Sequence, residues 1–260
     1  MHIAETVLAL PTEKAFREEA LQHSKTFLHK VVNRMNENMD MHNESRIKMT
    51  KLLEACHYSA NLLRCKAEGW DDLVAKCSVS LCRYVSSALP ADSVFFDAGM
   101  ACMHVKRYGT AFVMLNRFLD IIEAIDEGDS ASALENSDFV DTDIPYDFPI
   151  PTNHAVSEEK REEAREWVLS VSMEAEMEQS LGQRVCGHCG SDTYEGGLKC
   201  HHCQNTTDAC IVSGAPIPPG ERVAPIKGRP EITARKADWN TFIAKFNIEP
   251  WTGTLANPVY

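Results

Sequence analysis

The sequence lacks any run of the ~18 to 20 apolar residues that a membrane-spanning helix requires. Its first residues, Met-His-Ile-Ala-Glu, also lack the basic and apolar stretches of a secretory signal. We therefore expect an intracellular protein without a membrane span, whose 10 cysteines are reduced thiols or metal ligands rather than a disulfide framework. Aromatic residues are few, at 8%, but 44% of the residues are apolar, which is enough for a folded core and excludes disorder throughout.

Basic residues are missing from a long central segment. No Lys or Arg lies between Arg117 and Lys160, where 12 Asp and Glu residues occur. The chain has 26 basic and 38 acidic residues, so 26 − 38 gives a net charge of −12, which this segment alone accounts for. Because nucleic-acid binding requires a concentrated basic field, nucleic acid is not expected as a partner. The acidic segment is interpreted as a solvated linker rather than a docking site for a basic partner.

The first half of the sequence has the apolar period of amphipathic helices. Residues such as Met49, Leu52 and Cys56 advance by three and four positions. The same pattern predicts helices near 12–41, 43–69, 73–84, 95–105 and 111–128, the first capped by Thr12 with Glu13 in its first turn. Short joints between such helices favour an α-solenoid. One helix pair has a spacing of small and large residues similar to a tetratricopeptide repeat, at Phe95, Ala98, Gly99, Ala111 and Leu115.

The helical pattern stops after Gly128. Three prolines alternate with apolar residues over 143–151, which predicts an extended segment whose Tyr146, Phe148 and Ile150 pack along the helices. A further helix is expected from Ser157 until shortly before Gly182. The predicted organisation is therefore helical repeats over 1–128, an acidic extended strap over 129–156, a helix over 157–182, and a small tail domain over 183–260.

Two Cys-x-x-Cys pairs ten residues apart carry the strongest chemical signal in the sequence: Cys186, Cys189, Cys200 and Cys203. Each pair forms a tight knuckle that directs two thiolates at one metal, and two knuckles complete a tetrahedral Cys₄ site. Soft thiolates select zinc or iron–sulfur, and the paired spacing favours structural Zn²⁺. Unmetallated thiols and redox chemistry are the alternatives. The nearby His188, His201 and His202 are expected to face solvent, although any of them can replace a thiolate.

The last fifty residues have the order of a RING-like module. A turn at Cys210-Ile-Val-Ser-Gly214 precedes a short helix near 237–246, and a second turn follows at Pro250-Trp-Thr-Gly253. This order resembles a degenerate U-box, which is held together by hydrogen bonds instead of zinc. The resemblance implies a groove that docks a ubiquitin-conjugating enzyme. Transferred by position, the partner-binding residues are Ile211, Val212, Trp239, Phe242, Pro250 and Trp251. The alternative for the aromatic residues of the helix is a place in the core of the small domain.

A wider resemblance covers about residues 84–246. The segments Leu115-Asn-Arg-Phe-Leu-Asp120, Glu166-Trp-Val-Leu-Ser-Val-Ser-Met173 and Asp238-Trp-Asn-Thr-Phe242 lie in the same order as in the C-terminus of the largest peripheral subunit of intraflagellar transport complex B, to which they are similar. This resemblance implies tetratricopeptide-like helices followed by a U-box-like domain, and a protein of the cilium or flagellum and basal body with a cytoplasmic pool. The Cys₄ site is not part of what either resemblance implies.

These features lead to competing functional hypotheses. The favoured one is an intraflagellar transport scaffold whose helices bind other transport subunits and whose tail binds ubiquitin or a ubiquitin-conjugating enzyme, with weak ligase activity left open. The alternative is a purely structural interaction module in which the tail caps the helices; the sequence shows no paired catalytic carboxylates, nucleophile with its base, or phosphate-binding loop. A zinc-ribbon reader of nucleic acid is disfavoured by the acidic charge balance.

Overall fold

The helices of the first half follow the apolar pattern of the sequence. The computed structural model describes residues 2–10, 16–37, 43–131, 134–174, 176–230 and 232–260. Within those ranges the helices of this half are α1 (His2–Leu8), α2 (Arg17–Glu37), α3 (Asn43–Glu68), α4 (Asp71–Leu81), α5 (Ala91–His104) and α6 (Tyr108–Glu127). The predominantly helical fold agrees with the sequence prediction. No described helix is long and apolar enough to cross a membrane.

The start of the chain differs from the expected single helix over 12–41. A separate short helix, α1, precedes α2, and the apolar pattern does not predict it. Two buried side chains of α1, Ala4 and Leu8, join the same core as Leu21 and Leu28 of α2. The predicted cap, Thr12 with Glu13, lies outside the described residues.

Helices α2 to α6 pack on one another in chain order. Helices α5 and α6 approach each other closely at Gly99, where an added Cβ would stand 2.5 Å from Cγ of Leu115. Such an approach requires a residue without a side chain, which agrees with the small residues expected between these two helices. Phe95 and Phe118 are fully buried beside this contact, so the α5–α6 pair lies in the centre of the core.

Helix α6 ends at Gly128, whose φ of +73° is the left-handed conformation that glycine adopts at helix ends. The described residues that follow, up to α7, form mostly irregular structure that includes the 3-10 turn Ser137–Phe139. Ile144 and Phe148 are buried there and Ile150 is half-buried, but Tyr146 is 52% exposed. The expectation that Tyr146 packs along the helices is therefore wrong, and the apolar contact is made by its neighbours.

Helix α7 (Glu158–Ser172) ends ten residues before the expected boundary at 182. The chain turns back after Met173, and the side-chain amide of Gln179 donates a hydrogen bond of 3.1 Å to the carbonyl of Val171. The amide of Gly182 then donates to Oγ1 of Thr110 on α6 at 3.3 Å. These contacts satisfy the end of α7 and fix the returning segment against α6.

Two small hairpins and one helix follow. Strands β1 (Gln183–Val185) and β2 (Asp192–Tyr194) pair antiparallel, with Arg184 opposite Thr193. Strands β3 (Arg222–Val223) and β4 (Ala234–Arg235) form a second antiparallel pair. Strand β4 continues directly into α8 (Lys236–Phe246). From here on, the name tail is used for residues 208–260 only, which exclude the two cysteine pairs.

Candidate functional site

The four predicted metal-binding thiols lie together. The Sγ atoms of Cys186, Cys189, Cys200 and Cys203 all lie within 4.8 Å of one another. The Cys186–Cys203 and Cys189–Cys200 pairs are each separated by 3.8 Å. A regular tetrahedron with Zn–S bonds of ~2.3 Å has S–S edges of about 3.8 Å. A disulfide would require about 2.05 Å. The spacing therefore fits four thiolates around a single metal ion, and these four residues can bind one.

The two knuckles have the same backbone design. The amide of Gly190 donates to the carbonyl of Cys186 at 3.0 Å, and the amide of Gln204 donates to the carbonyl of Cys200 at 2.9 Å. Gly190 and Gln204 both have positive φ, at +76° and +62°. Each turn also directs backbone amides at its first sulfur. The amide of Cys189 lowers the pKa of the Cys186 thiol, and the amide of Cys203 lowers the pKa of Cys200, which favours the thiolate form of these two residues.

The three nearby histidines are not members of this cluster. His188 and His202 are exposed, as expected, and His201 is half-buried. The rings of His201 and His202 pack on each other with centroids 4.0 Å apart. The donor set is therefore four sulfurs, which suits a soft metal and leaves no open coordination position.

The segment between the knuckles is fixed to the helical half. Glu195 forms an ion pair with Arg107, and the amide of Leu198 donates to Asp143 at 2.8 Å. The buried Arg83, which follows α4, donates to the carbonyl of Gly196 at 2.8 Å. Burial acts to lower the pKa of Arg83, but Asp143 together with the neighbouring tyrosines more than offsets it, so the guanidinium stays charged. The cysteine cluster is thus built on a segment that α6, α4 and the strap hold in place.

The predicted partner-binding residues do not form a groove open to solvent. Val212, Trp239 and Phe242 are fully buried, and Pro250 is buried as well. Ile211 and Trp251 are half-buried. The indole of Trp239 donates to the carbonyl of Asn257 within the tail at 3.1 Å. The aromatic residues Trp239 and Phe242 of α8 therefore lie in the core, which is the alternative given above for them.

Side chains of helices α2 and α3 form hydrogen bonds with backbone carbonyls in the two turns of the tail. Nε2 of His57 lies 2.6 Å from the carbonyl oxygen of Ile211, and the amide of Asn61 donates to the carbonyl of Val212 at 2.8 Å. The ammonium of Lys25 donates to the carbonyl of Pro250 at 2.7 Å. All three side chains are buried, so the turns are held where water is excluded.

Aromatic contacts surround these hydrogen bonds. The ring of Trp251 meets the rings of His57 and His29 edge to face, with centroids 4.7 Å and 5.8 Å apart. Burial, together with the charge of Lys25, holds the pKa of His57 well below its usual value, so the ring is neutral. Burial also lowers the pKa of Lys25, to about 8.

Helix α8 contacts the start of α4. The ring of Trp70 lies beside Phe242 and Phe246, with centroids 6.4 Å and 5.9 Å apart. Nζ of Lys76 lies 2.9 Å from Oδ1 of Asp238. The other oxygen of Asp238 accepts a hydrogen bond of 2.9 Å from the Ser213 hydroxyl, which joins α8 to the first turn of the tail.

The sequence did not predict the residues that the helical half contributes to this contact: Lys25, His57, Asn61, Trp70 and Lys76. One signal for them exists in the sequence. His57 and Asn61 are polar residues four apart in a part of α3 where apolar residues predominate. Two polar groups on one helix face predict a buried polar contact, but the pattern does not say what they contact.

Comparison with known proteins identifies homologues along most of the chain, although no family model matches it. Intraflagellar transport protein 172 of Chlamydomonas reinhardtii is 44% identical over 207 residues, which are 79% of this chain and 12% of that protein. The intraflagellar transport protein 172 homolog of Danio rerio is 41% identical over 196 residues, 74% of this chain and 10% of the relative. The Homo sapiens homolog is 38% identical over 194 residues, 75% of this chain and 10% of the relative.

The similarity covers the C-terminal region of these homologues. The chain therefore spans about a tenth of the length of the curated relatives it matches. The homologues are intraflagellar transport proteins of cilia and flagella, which confirms the ciliary localisation predicted from the sequence.

Proposed function

We propose that this chain, a homologue of intraflagellar transport protein 172, is the scaffold-forming C-terminal part of an intraflagellar transport subunit. Its helices bind other subunits of the transport assembly. The observation that carries this proposal is 38–44% identity to intraflagellar transport proteins. A tetratricopeptide-like stack is supported by the packing of α2 to α6 in chain order and by the close approach at Gly99. Such stacks present long surfaces to partner proteins.

The scaffold function is tested by co-purification from ciliated cells. The tagged chain is expected in the cilium or flagellum and at the basal body, and should retain other transport subunits, detected by specific antibodies. A matched control carries Phe95→Asp and Phe118→Asp, which disrupt the core of the α5–α6 pair. Equal retention by the folded and the disrupted chain, or no retention of any transport subunit, would reject the proposal.

In this proposal the tail binds a partner protein, as a U-box does. Its loops are held by hydrogen bonds and not by the cysteine cluster: the carboxylate of Glu249 accepts bonds of 2.6 Å from the amides of Trp251 and Thr252, and Asp238 accepts one from Ser213. This hydrogen-bonded frame supports the U-box-like assignment made from the sequence. The ligand of the tail is ubiquitin or a ubiquitin-conjugating enzyme. Binding of the conjugating enzyme would give the chain weak ubiquitin ligase activity.

The recognition function is tested with the full chain in a ubiquitin titration and an in-vitro ubiquitination assay. Ile211→Ala and Pro250→Ala should reduce binding or conjugate formation, whereas the exposed Val185→Ala should not. The competing function, a structural module with the tail as a cap, is favoured by the burial of Val212 and Pro250. It predicts that neither ubiquitin nor a conjugating enzyme binds any variant, while the tail variants lower stability.

The four clustered cysteines hold a structural zinc ion. The support is the sulfur spacing, which matches the edges of a zinc–thiolate tetrahedron, and a donor set without an open position. Purified protein should contain about one equivalent of zinc, and Cys200→Ser should lose it. His188→Ala, an exposed change in the first knuckle, should retain the metal. A folded protein that contains no metal and is insensitive to chelators would reject the site.

A further inference from the structure

The face of the tail assigned to a partner is occupied by helices of the same chain. We propose that this contact is a reversible closed state, in which α2, α3 and α4 compete with a protein partner for the two docking loops of the tail, residues 210–214 and 249–252. The proposal rests on the recognition function proposed above. Tail release would then be the step that regulates partner binding.

The docking loops keep their own hydrogen bonds in the tail, and their hydrogen bonds to the helices are made by outward carbonyls. Within the first loop, the amide of Gly214 donates to the carbonyl of Cys210 at 2.7 Å. Within the second loop, Glu249 accepts from the amides of Trp251 and Thr252. The helix donors bond to the carbonyls of Ile211, Val212 and Pro250. Water can replace those donors, so the loops retain their shape when the tail leaves the helices.

The tail has an internal frame that does not depend on the helices. The side chain of Asn240 on α8 bonds twice to Val259, donating to its carbonyl at 2.8 Å and accepting from its amide at 2.7 Å. The indole of Trp239 bonds to Asn257, and β3 pairs with β4. These contacts tie the last residues of the chain and the small sheet to α8. The tail can therefore move as a unit.

The closed contact is polar as well as apolar. It buries the ammonium of Lys25, the ring of His57 and the amide of Asn61, and it includes the ion pairs Lys76–Asp238 and Lys245–Glu68. Contacts between separable domains have this mixed character, whereas obligate interfaces are more apolar. Each buried charge loses hydration on closure, which reduces the net stability of the closed state.

One glycine allows the closed state to be tested. Gly214 has φ of +73°, and an added Cβ would lie 2.8 Å from Cβ of Ser80 on α4 and 3.2 Å from Cε1 of Tyr58 on α3. Gly220 has a similar φ of +83° but has no atom within 4 Å of its added Cβ. Gly214→Ala and Gly220→Ala therefore strain the tail backbone alike, and only the first pushes the tail away from the helices.

The test is hydrogen exchange by mass spectrometry on the full chain, paired with a ubiquitin titration. In Gly214→Ala, amide exchange in both docking loops should be at least tenfold faster than in Gly220→Ala. Exchange in α5 and α6 should be the same in the two variants. Ser80→Gly should partly reverse the effect of Gly214→Ala. Because apparent affinity scales with the fraction of open protein, ubiquitin affinity should rise by the same factor as loop exchange. Asn61→Ala, which removes a donor without adding an atom, should change both quantities in the same direction.

The outcomes separate the two proposals. Increased loop exchange without ubiquitin binding in any variant would support the reversible closure and reject ubiquitin as the ligand of the tail. Loop exchange in Gly214→Ala and Asn61→Ala that equals that of Gly220→Ala, or that rises only together with α5 and α6, would overturn the closure itself.

Discussion

The buried ion pair between Lys76 and Asp238 provides a sharp energetic test of tail docking. Lys76→Met removes the cation but keeps most of the side-chain volume. Asp238 is only 3% exposed, so its charge is left with the Ser213 hydroxyl as the remaining side-chain partner. The second partner of Lys76, Asp72, is 71% exposed and can return to water. The cost of Lys76→Met is therefore set by the stranded carboxylate.

The magnitude follows from this burial. Removing one partner of a buried ion pair costs ~3–5 kcal/mol, and we expect about 3 kcal/mol because Lys76 retains 13% exposure. Asp238→Leu alone leaves an ammonium that still has Asp72, so its cost should be smaller. Replacing both residues removes the stranded charge, and the double variant should lose less than the sum of the two single losses.

Urea unfolding followed by circular dichroism gives the four free energies of this double-mutant cycle. We expect a coupling energy of about 1–2 kcal/mol between Lys76→Met and Asp238→Leu. Asp72→Asn is the matched control, and should cost less than ~0.5 kcal/mol because the Lys76–Asp72 pair is exposed on one side. Additive effects, with coupling below ~0.5 kcal/mol, would refute the docked position of α8.

Further predictions concern pH and packing. Burial and the charge of Lys25 hold the pKa of His57 below 6.5 in the folded protein. The unfolded chain therefore binds the proton first, and the free energy of unfolding should fall as the pH drops below 6.5. In acid unfolding curves, His57→Gln should remove this loss. Burial and then Arg64 lower the pKa of Lys25 from 10.5 to about 8, so wild type should gain stability relative to Lys25→Met between pH 8 and 10.5. Gly99→Ala should cost roughly 1 kcal/mol in urea unfolding, since a clash with Leu115 worth ~1–3 kcal/mol exceeds the ~1 kcal/mol gain in helix propensity; a more stable variant would contradict the α5–α6 packing.

Much of the architecture could be predicted because its signals are local. The apolar period predicts helices close to α3, α5 and α6, and Gly128 ends α6 where expected. The cysteine cluster is predictable for the same reason, since the two pairs lie within eighteen residues of sequence. The local pattern does not predict the end of α7 at Ser172, where the carbonyl of Val171 accepts a hydrogen bond from Gln179, a residue beyond the helix.

The tail–helix contact could not be predicted because it joins distant parts of the chain. Asn61 and Val212 are 151 residues apart, and Lys25 and Pro250 are 225 apart. Sequence spacing gives no register for such pairs. The residues Val212 and Phe242 have the same apolar character in an open groove and in a buried contact, so only the arrangement in space distinguishes the two.

Amine labelling of the native full chain tests tail docking most directly. Lys25 is 4% exposed beneath Pro250, whereas Lys30 and Lys51 are exposed on the same pair of helices. With a small acylating reagent at pH 8 and quantification by mass spectrometry, Lys25 should react at least tenfold more slowly than Lys30 and Lys51. The burial that lowers the pKa of Lys25 to about 8 also keeps the reagent away from its amine. Labelling of Lys25 as fast as the controls, or faster, in fully folded protein would contradict the docked tail.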